Sequence, residues 1–423
     1  MLKRIYIAGA VLVLLSGCGN AGEKGESSGQ TGSNKTSSQA DSQIVEIATG
    51  EGFATRLQEA LITASQGSTI VMPAGTYQFV DGLSLDITGV TLRGAGQDKT
   101  FLDFSGQIGA GEGLLVTSAD VVLEDFTIYD TAGDGIKSKG ADGIIYRDVT
   151  VEWRGEPDTS NGAYGVYPVE SKNVLIERVT VRGASDAGIY VGQSSNIIVR
   201  NSLAEYNVAG IEIENSSYAD VYGNTTRHNT GGVLVFDLPN LPIMGGHSTR
   251  IYDNDIYDNN TRNFAPPGNI VATVPSGTGI IIMANENVHI FGNRFANNRT
   301  VQIVIGAYQE KFDDDNYNPL PRNIVVRDNS YAGGGDDPQG LMAMFAKGFG
   351  GTLPPIVWDG VTAWDGGEAF DVNLSVSEPE TVGFLNLGLG SYPVNPLKIK
   401  PNTTRPKATA KPEPEKIILA QDK

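Results

Sequence analysis

The chain has 423 residues, with 31 Lys and Arg against 49 Asp and Glu, a formal charge of −18 at pH 7, 53 glycines and 1 cysteine. A chain this acidic repels a phosphate backbone, so nucleic acid is set aside as a partner, and a lone cysteine permits no intrachain disulfide. The sequence carries no P-loop, no dinucleotide-binding glycine fingerprint and no His-Glu-x-x-His zinc motif, which removes the enzyme classes built on them.

Residues 1–18 read as an export signal. Lys3 and Arg4 form its charged start, and Ile5 to Leu15 form an apolar run too short to span a bilayer. Leu15-Ser16-Gly17-Cys18 resembles a bacterial lipobox, which implies lipidation at Cys18 and a membrane anchor there. Gly19 follows where Asp would mark inner-membrane retention, so the resemblance implies a cell-envelope lipoprotein of the outer membrane. Residues 19–43 are rich in Gly, Ser, Gln and Asn and read as a flexible tether.

One folded domain is expected over 44–397. Phe53-Ala54-Thr55-Arg56-Leu57-Gln58-Glu59-Ala60-Leu61 has the spacing of a short amphipathic helix, and Gly67 to Tyr77 follows as a strand segment. From Gly113 a Gly-apolar pair recurs: Gly113-Leu114, Gly135-Ile136, Gly165-Val166, Gly188-Ile189, Gly210-Ile211, Gly232-Val233 and Gly279-Ile280. A period of about 22 residues carried by short β-rich segments means stacked repeats, none of which can bury its apolar face alone. A second series ends in Asn: Ile198 to Asn201, Val221 to Asn224, Ile251 to Asn254, Ile290 to Asn293 and Val326 to Asn329, with Phe126, Asp148 and Val179 in earlier coils. Asn suits tight turns, and stacked amides can bond along a stack. Residues 331–350 break the period, and 356–392, with Trp358, Trp364, Phe370 and Phe384, continue the β-structure. Pro, Lys, Thr and Ala mark 398–423 as a disordered tail.

The strands are short, with little room for helices between them. The expected fold is all-β, a parallel β-helix. The coil pattern over about residues 53–335 resembles the pectin-lyase-like proteins, which implies a single-stranded right-handed parallel β-helix with a short N-terminal capping helix. It is similar within them to exported repeat proteins that include a periplasmic nitrous-oxide-reductase maturation factor and many lipoproteins.

Side chains alternate across a strand, so the second residue after each repeat glycine is expected to face solvent. That row reads Leu115, Lys137, Tyr167, Tyr190, Glu212, Leu234 and Ile281, and two positions on lie Lys139, Val169, Gly192, Glu214 and Phe236. The result is a ribbon of base, phenol and carboxylate. The longest inserts, 153–164, 238–248, 258–277 and 306–321, are expected to wall it. Phenol rings stack on sugar rings while polar groups bond the hydroxyls.

The resemblance implies lyases and epimerases that abstract a proton beside a uronate carboxylate. In that chemistry Tyr167 or Tyr190 would transfer the proton, Lys137 would stabilise the anion, and Glu212 would be acid or metal ligand. Lys139, Glu170, Asp186, Glu214 and Asp237 complete the substrate-binding set, with Glu152 and Arg154 beside the first insert. A glycoside hydrolase would need two carboxylates, for which Asp186, Glu212, Glu214 and Asp237 are the close cluster. The Asp-Pro-His-Glu of mannuronan epimerases and the Trp-x-Asp-His of pectate lyases are absent. The sequence makes no cofactor certain. Calcium is the one candidate, at Asp253-Asn254-Asp255 with Asp258 or at Asp313-Asp314-Asp315. Two readings stay open. One is a protein that binds or modifies an envelope or extracellular polysaccharide. The other is a non-catalytic scaffold offering a rigid β-surface to a second exported protein.

Overall fold

The computed structural model describes residues 43–109, 111–406 and 408–420. The export signal, Cys18 and all of the tether except residue 43 lie outside the described residues. The described chain coils into a right-handed parallel β-helix. One eleven-stranded sheet takes one short strand from each coil, stacked in chain order from Leu83–Leu85 through Ala187–Gly192, Ala209–Glu214 and Gly231–Phe236 to Phe384–Asn386. The repeat glycines fall in this sheet, here called the glycine sheet. Two further strands per coil, such as Ser195–Arg200 and Leu203–Glu205, join a twenty-stranded assembly, here called the ladder sheet. Both sheets are built from parallel pairings, and the two middle glycine-sheet steps run Ile189 to Ile211 to Val233 in register.

The register explains the period. Ile136, Val166, Ile189, Ile211, Val233, Ile280 and Ile303 stack as one fully buried row inside the coil. The glycine before each of the first six sits where the next coil passes too closely for a side chain. A Cβ on Gly165 would lie 2.2 Å from Val181 Cγ1 and 2.6 Å from the Gly188 carbonyl oxygen. Helix α1, Phe53–Thr63, buries Phe53, Leu57, Ala60 and Leu61 and covers the first coils, as its spacing predicts. Such a cover protects the open strand edge that the first coil would otherwise present.

Three corners of the coil carry internal polar stacks. Asn224, Asn254, Asn293 and Asn329 form one, each side-chain oxygen after the first accepting from the backbone and side-chain amides of the residue one coil before. Asn207, Asn229, Asn259 and Asn298 form a second. Ser171, Ser194 and Ser216 form a third, each hydroxyl accepting a backbone amide. The register corrects two members of the sequence series. Asn201 pairs with the Gly223 position, and the ladder member in its coil is Ser202, which bonds Asn224. Asn201, Gly223, Asp253, Gly292 and Asp328 all have φ between 52° and 66°, so this neighbouring position selects residues that tolerate left-handed backbone. Asp148, with φ 50°, belongs to that row as well.

Within 398–406 and 408–420, where composition predicts a disordered tail, several residues contact the coil. Asn402 bridges Asn386, Arg405 caps the Glu378 and Pro379 carbonyls, and Leu419 is 2% exposed. Composition suggested disorder because Pro and Lys dominate, yet Glu413, Ile417 and Leu419 have seats on the ladder sheet. Between strands Ser330–Ala332 and Ile356–Trp358 lies helix α2, Gly340–Lys347, where the sequence marks only a break in the period.

Candidate functional site

The outer face of the glycine sheet brings the ribbon together in register. Lys137 pairs with Tyr167, Tyr190 with Glu212, and Glu212 with Leu234, while Lys139 pairs with Val169 and Glu214 with Gly192 and Phe236. These side chains point away from the coil interior, as alternation requires. They do not all meet water. Tyr190, Glu212, Glu214, Asp186 and Asp237 are buried, which corrects the expectation of a solvent-facing ribbon.

The cause is the 258–277 insert. It lies across the sheet and packs Val271 and Val274, with Phe264, Ala265 and Ile270, against Tyr190, Leu234 and Phe236. Asn263 braces it internally, its amide donating to the Val271 and Val274 carbonyls at 2.9 and 3.0 Å. On the opposite flank, Leu238, Met244 and Met283 pack with Tyr308 and Tyr317 of the 306–321 insert.

Beneath the cover three tyrosines converge. Tyr164 lies 4.6 Å, ring centre to ring centre, from both Tyr167 and Tyr190, and Tyr167 meets Tyr190 edge-on at 4.9 Å. Beside them are three buried carboxyl groups. Glu214 accepts a 2.7 Å bond from the Tyr190 hydroxyl, and Asp186 accepts a 2.8 Å bond from Asn269 of the cover. Glu212 is 1% exposed, and neither of its carboxyl oxygens has a hydrogen-bond partner among the described residues. Burial pushes Asp186 up to about 6, against the pull of Asn269 and Tyr164. Burial likewise lifts Glu214 to about 7, with Asp186 and Asp237 adding to it against the Tyr190 bond. Glu212 lies well above the ordinary carboxyl range, through burial first and the charges of Asp186 and Glu214 next. Burial raises Tyr167 to about 12 and Tyr164 and Tyr190 well above their usual value, which favours the phenol over the phenolate in all three.

The remaining expected residues separate from this cluster. Lys137 lies three strands from Glu212, about 14 Å at the usual strand spacing, and its ammonium is 3.3 Å from Glu112, 3.8 Å from Asp134 and 4.8 Å from the Tyr167 ring centre. Lys139 and Glu170 pair with each other at 3.4 Å near the surface. Asp237 is committed to its own loop, accepting from the Gly245 and Gly246 amides. Glu152 and Arg154 belong to the other side of the coil, where Arg154 bonds Asp130 and Asp103 and Glu152 faces Arg182. At the first calcium candidate Asn254 is a ladder member and Asp255 accepts two bonds from the Arg294 guanidinium. Among the described residues no group of three or more His, Cys, Asp or Glu is placed to hold a metal ion.

Tyr164, Asp134 and Asn269 escaped the sequence reading. Asp134 and Tyr164 directly precede repeat glycines, three residues before Lys137 and Tyr167 of the ribbon, and burial raises Asp134 to about 6. Asn269 sits in an insert whose fold has no repeat to reveal it.

A model of the right-handed β-helix region matches residues 84–242. Among solved structures, the A-module of mannuronan C-5 epimerase AlgE4 from Azotobacter vinelandii superposes with a TM-score of 0.51 at 14% identity, covering 79% of this chain and 94% of that one. The family 28 exopolygalacturonase of Yersinia enterocolitica superposes with a TM-score of 0.50 at 12% identity, covering 81% and 79%. No curated protein sequence matches the chain. At these identities the likeness establishes the fold.

Proposed function

We propose that this pectin-lyase-like right-handed parallel β-helix protein binds and modifies a polysaccharide on the outer face of its glycine sheet, as a lipoprotein anchored through Cys18 in the cell envelope. The observation that carries this reading is the buried Glu212 carboxyl, unbonded to protein, beside the Tyr164–Tyr167–Tyr190 cluster. A buried polar group without a partner costs about 1–3 kcal/mol, so a fold that keeps one calls for a functional reason. The Tyr rings, covered by the 258–277 insert, become a sugar-stacking surface when that insert is displaced. Glu212, whose pKa burial raises well above the ordinary carboxyl range, supplies a proton donor, and Asp186, with its pKa raised to about 6, supplies a carboxylate. Two carboxyl groups with separated pKa values divide into acid and base roles. The fold of the mannuronan epimerase and exopolygalacturonase neighbours supports a carbohydrate reading by analogy.

The chemistry favours acid-assisted cleavage of a glycosidic bond over uronate elimination or epimerisation. Those reactions need a positive charge at the substrate carboxylate, and Lys137 and Lys139 are both engaged with acidic neighbours. A glycan poor in carboxylates fits three clustered acids better than a polyuronate does. A non-catalytic scaffold for a second exported protein is favoured by one observation, the closure of the 258–277 insert over the face.

The test screens the purified chain against neutral and uronate polysaccharides by thermal shift, reducing-end release and the ultraviolet absorbance of an unsaturated product. Reducing ends should appear on one neutral polymer and fall by about 100-fold or more in Glu212→Gln, the usual worth of a general acid, without loss of thermal stability. An unsaturated product would show elimination and overturn the assignment of Glu212. Silence on every polymer would remove the carbohydrate reading and leave the scaffold.

A further inference from the structure

The C-terminal segment occupies a groove that is built independently of it. On the outer face of the ladder sheet, Ile145, Leu175, Ile198, Asp220, Arg250 and His289 stand in register, one per coil. Residues 411–419 run across these strands. Lys411 reaches Glu286 at 3.3 Å, and Glu413 bonds Arg250 at 2.8 Å and Arg327 at 2.7 Å. The Ile417 amide donates to Asp220 at 3.1 Å, and Leu419 packs on Ile145, Leu175 and Ile198. Apart from the Ile417 amide, these contacts are made by side chains, so the segment is not a further strand of the sheet.

Two features make the seat releasable. Arg250 and Asp220 already satisfy each other through two bonds, at 2.7 and 2.5 Å, so lifting Glu413 leaves no unpaired buried charge. His289, 2% exposed, has neither ring nitrogen bonded to a described residue while the segment is down. Docking therefore carries a desolvation cost that release returns. The groove also reads sequence. A carboxylate must meet the Arg250–Arg327 pair, and apolar side chains four and six residues later must meet the far end.

We infer that this face is a recognition groove for an extended peptide with Glu, then Ile four residues on and Leu six residues on, and that the C-terminal segment of a second copy of the chain can fill it in trans. Every copy carries that segment, and the contacts it makes are the same whichever copy supplies it, which is the condition for exchange of an identical element.

The experiment measures fluorescence anisotropy of a labelled peptide of residues 402–420. It is titrated with the full-length chain carrying Glu413→Ala and Leu419→Asp, substitutions that unseat its own segment. The peptide should bind this chain about tenfold or more tightly than it binds wild type, whose groove is filled. Adding Arg250→Ala, or using a peptide with Glu413→Ala, should weaken binding about tenfold or more, as expected for a partly buried charge pair. A well-folded unseated chain that fails to take up the peptide overturns the inference, as does binding indifferent to Arg250. If the unseated chain does not fold, hydrogen exchange on wild type decides. The Ile417 amide should exchange through local release, far faster than the ladder amide of Asn254. Equal rates would show that the segment opens only with the core, and would overturn exchange.

Discussion

Replacing Asn254 by alanine is expected to destabilise the protein by about 3–5 kcal/mol, because it strips several buried partners at once. Asn254 is fully buried. Its oxygen accepts from the Asn224 backbone amide at 2.9 Å and from the Asn224 side chain at 3.0 Å. Its amide donates to the Val221 carbonyl and to Asn293, both at 2.9 Å. Alanine fills none of these roles and leaves no path for water to replace them. Asn201→Ala provides the contrast. That residue is exposed and serves only its left-handed backbone, φ 52°, so its loss should cost about 1–2 kcal/mol. Chemical denaturation of the two variants measures the difference. Near-equal costs would mean that the stacked amides contribute little beyond their turn.

The second large effect concerns pH. Asp186, Glu212 and Glu214 have folded-state pKa values raised above those of the unfolded chain. A raised carboxyl binds its proton more tightly when folded. Its contribution is fully present below the unfolded value, near 4, and is lost as pH rises through the folded value. The cluster should therefore weaken the fold progressively from about pH 4 to pH 7 and beyond. A tenfold difference in proton affinity between folded and unfolded chains corresponds to about 1.4 kcal/mol, so the three groups together lose on the order of several kcal/mol. His247 and His289, with pKa values lowered chiefly by burial, act in the opposite sense, their contribution being lost as pH falls. Glu177 and Glu205, bonded by arginines, have lowered values and lose their contribution only at pH below the ordinary carboxyl range. The combined variant Asp186→Asn, Glu212→Gln, Glu214→Gln isolates the cluster. It should be more stable than wild type at pH 7.5, with the advantage shrinking toward pH 4.5. Urea midpoints across that range measure it, and parallel profiles for the two proteins would refute burial as the cause of the raised values.

Such an arrangement is what a site kept for function looks like energetically. Three leucine-sized apolar side chains would suit the covered face of the glycine sheet better than Asp186, Glu212 and Glu214 do. The neighbouring coils show that alternative directly, since the position of Glu212 is taken by Leu234 and Ile281 further along the stack.

The amino-acid sequence by itself determined the coil, the hand of its stacking by family resemblance, the row that contains Tyr167, Tyr190 and Glu212, and the α1 cap. It could do so because a period of about 22 residues repeats the same physical demand in every turn. A glycine is needed where backbones pass closely, an apolar residue points inward after it, and Asn bonds along a corner. Whatever repeats can be read from one chain. What does not repeat was decided by tertiary structure. The 258–277 insert turns an exposed ribbon into a buried acid cluster, and it does so through Val271, Val274 and Asn269, which obey no period. Residues 411–419 have the composition of a disordered tail and are nonetheless seated, because Glu413 and Leu419 meet a row assembled from six different coils. The difference between Asn201 and Ser202 as ladder member is a one-residue matter of register, and only the pairing of neighbouring strands fixes it. Contacts between segments far apart in sequence leave no local pattern, so burial, and with it the chemistry of Glu212, became legible only once the chain was folded.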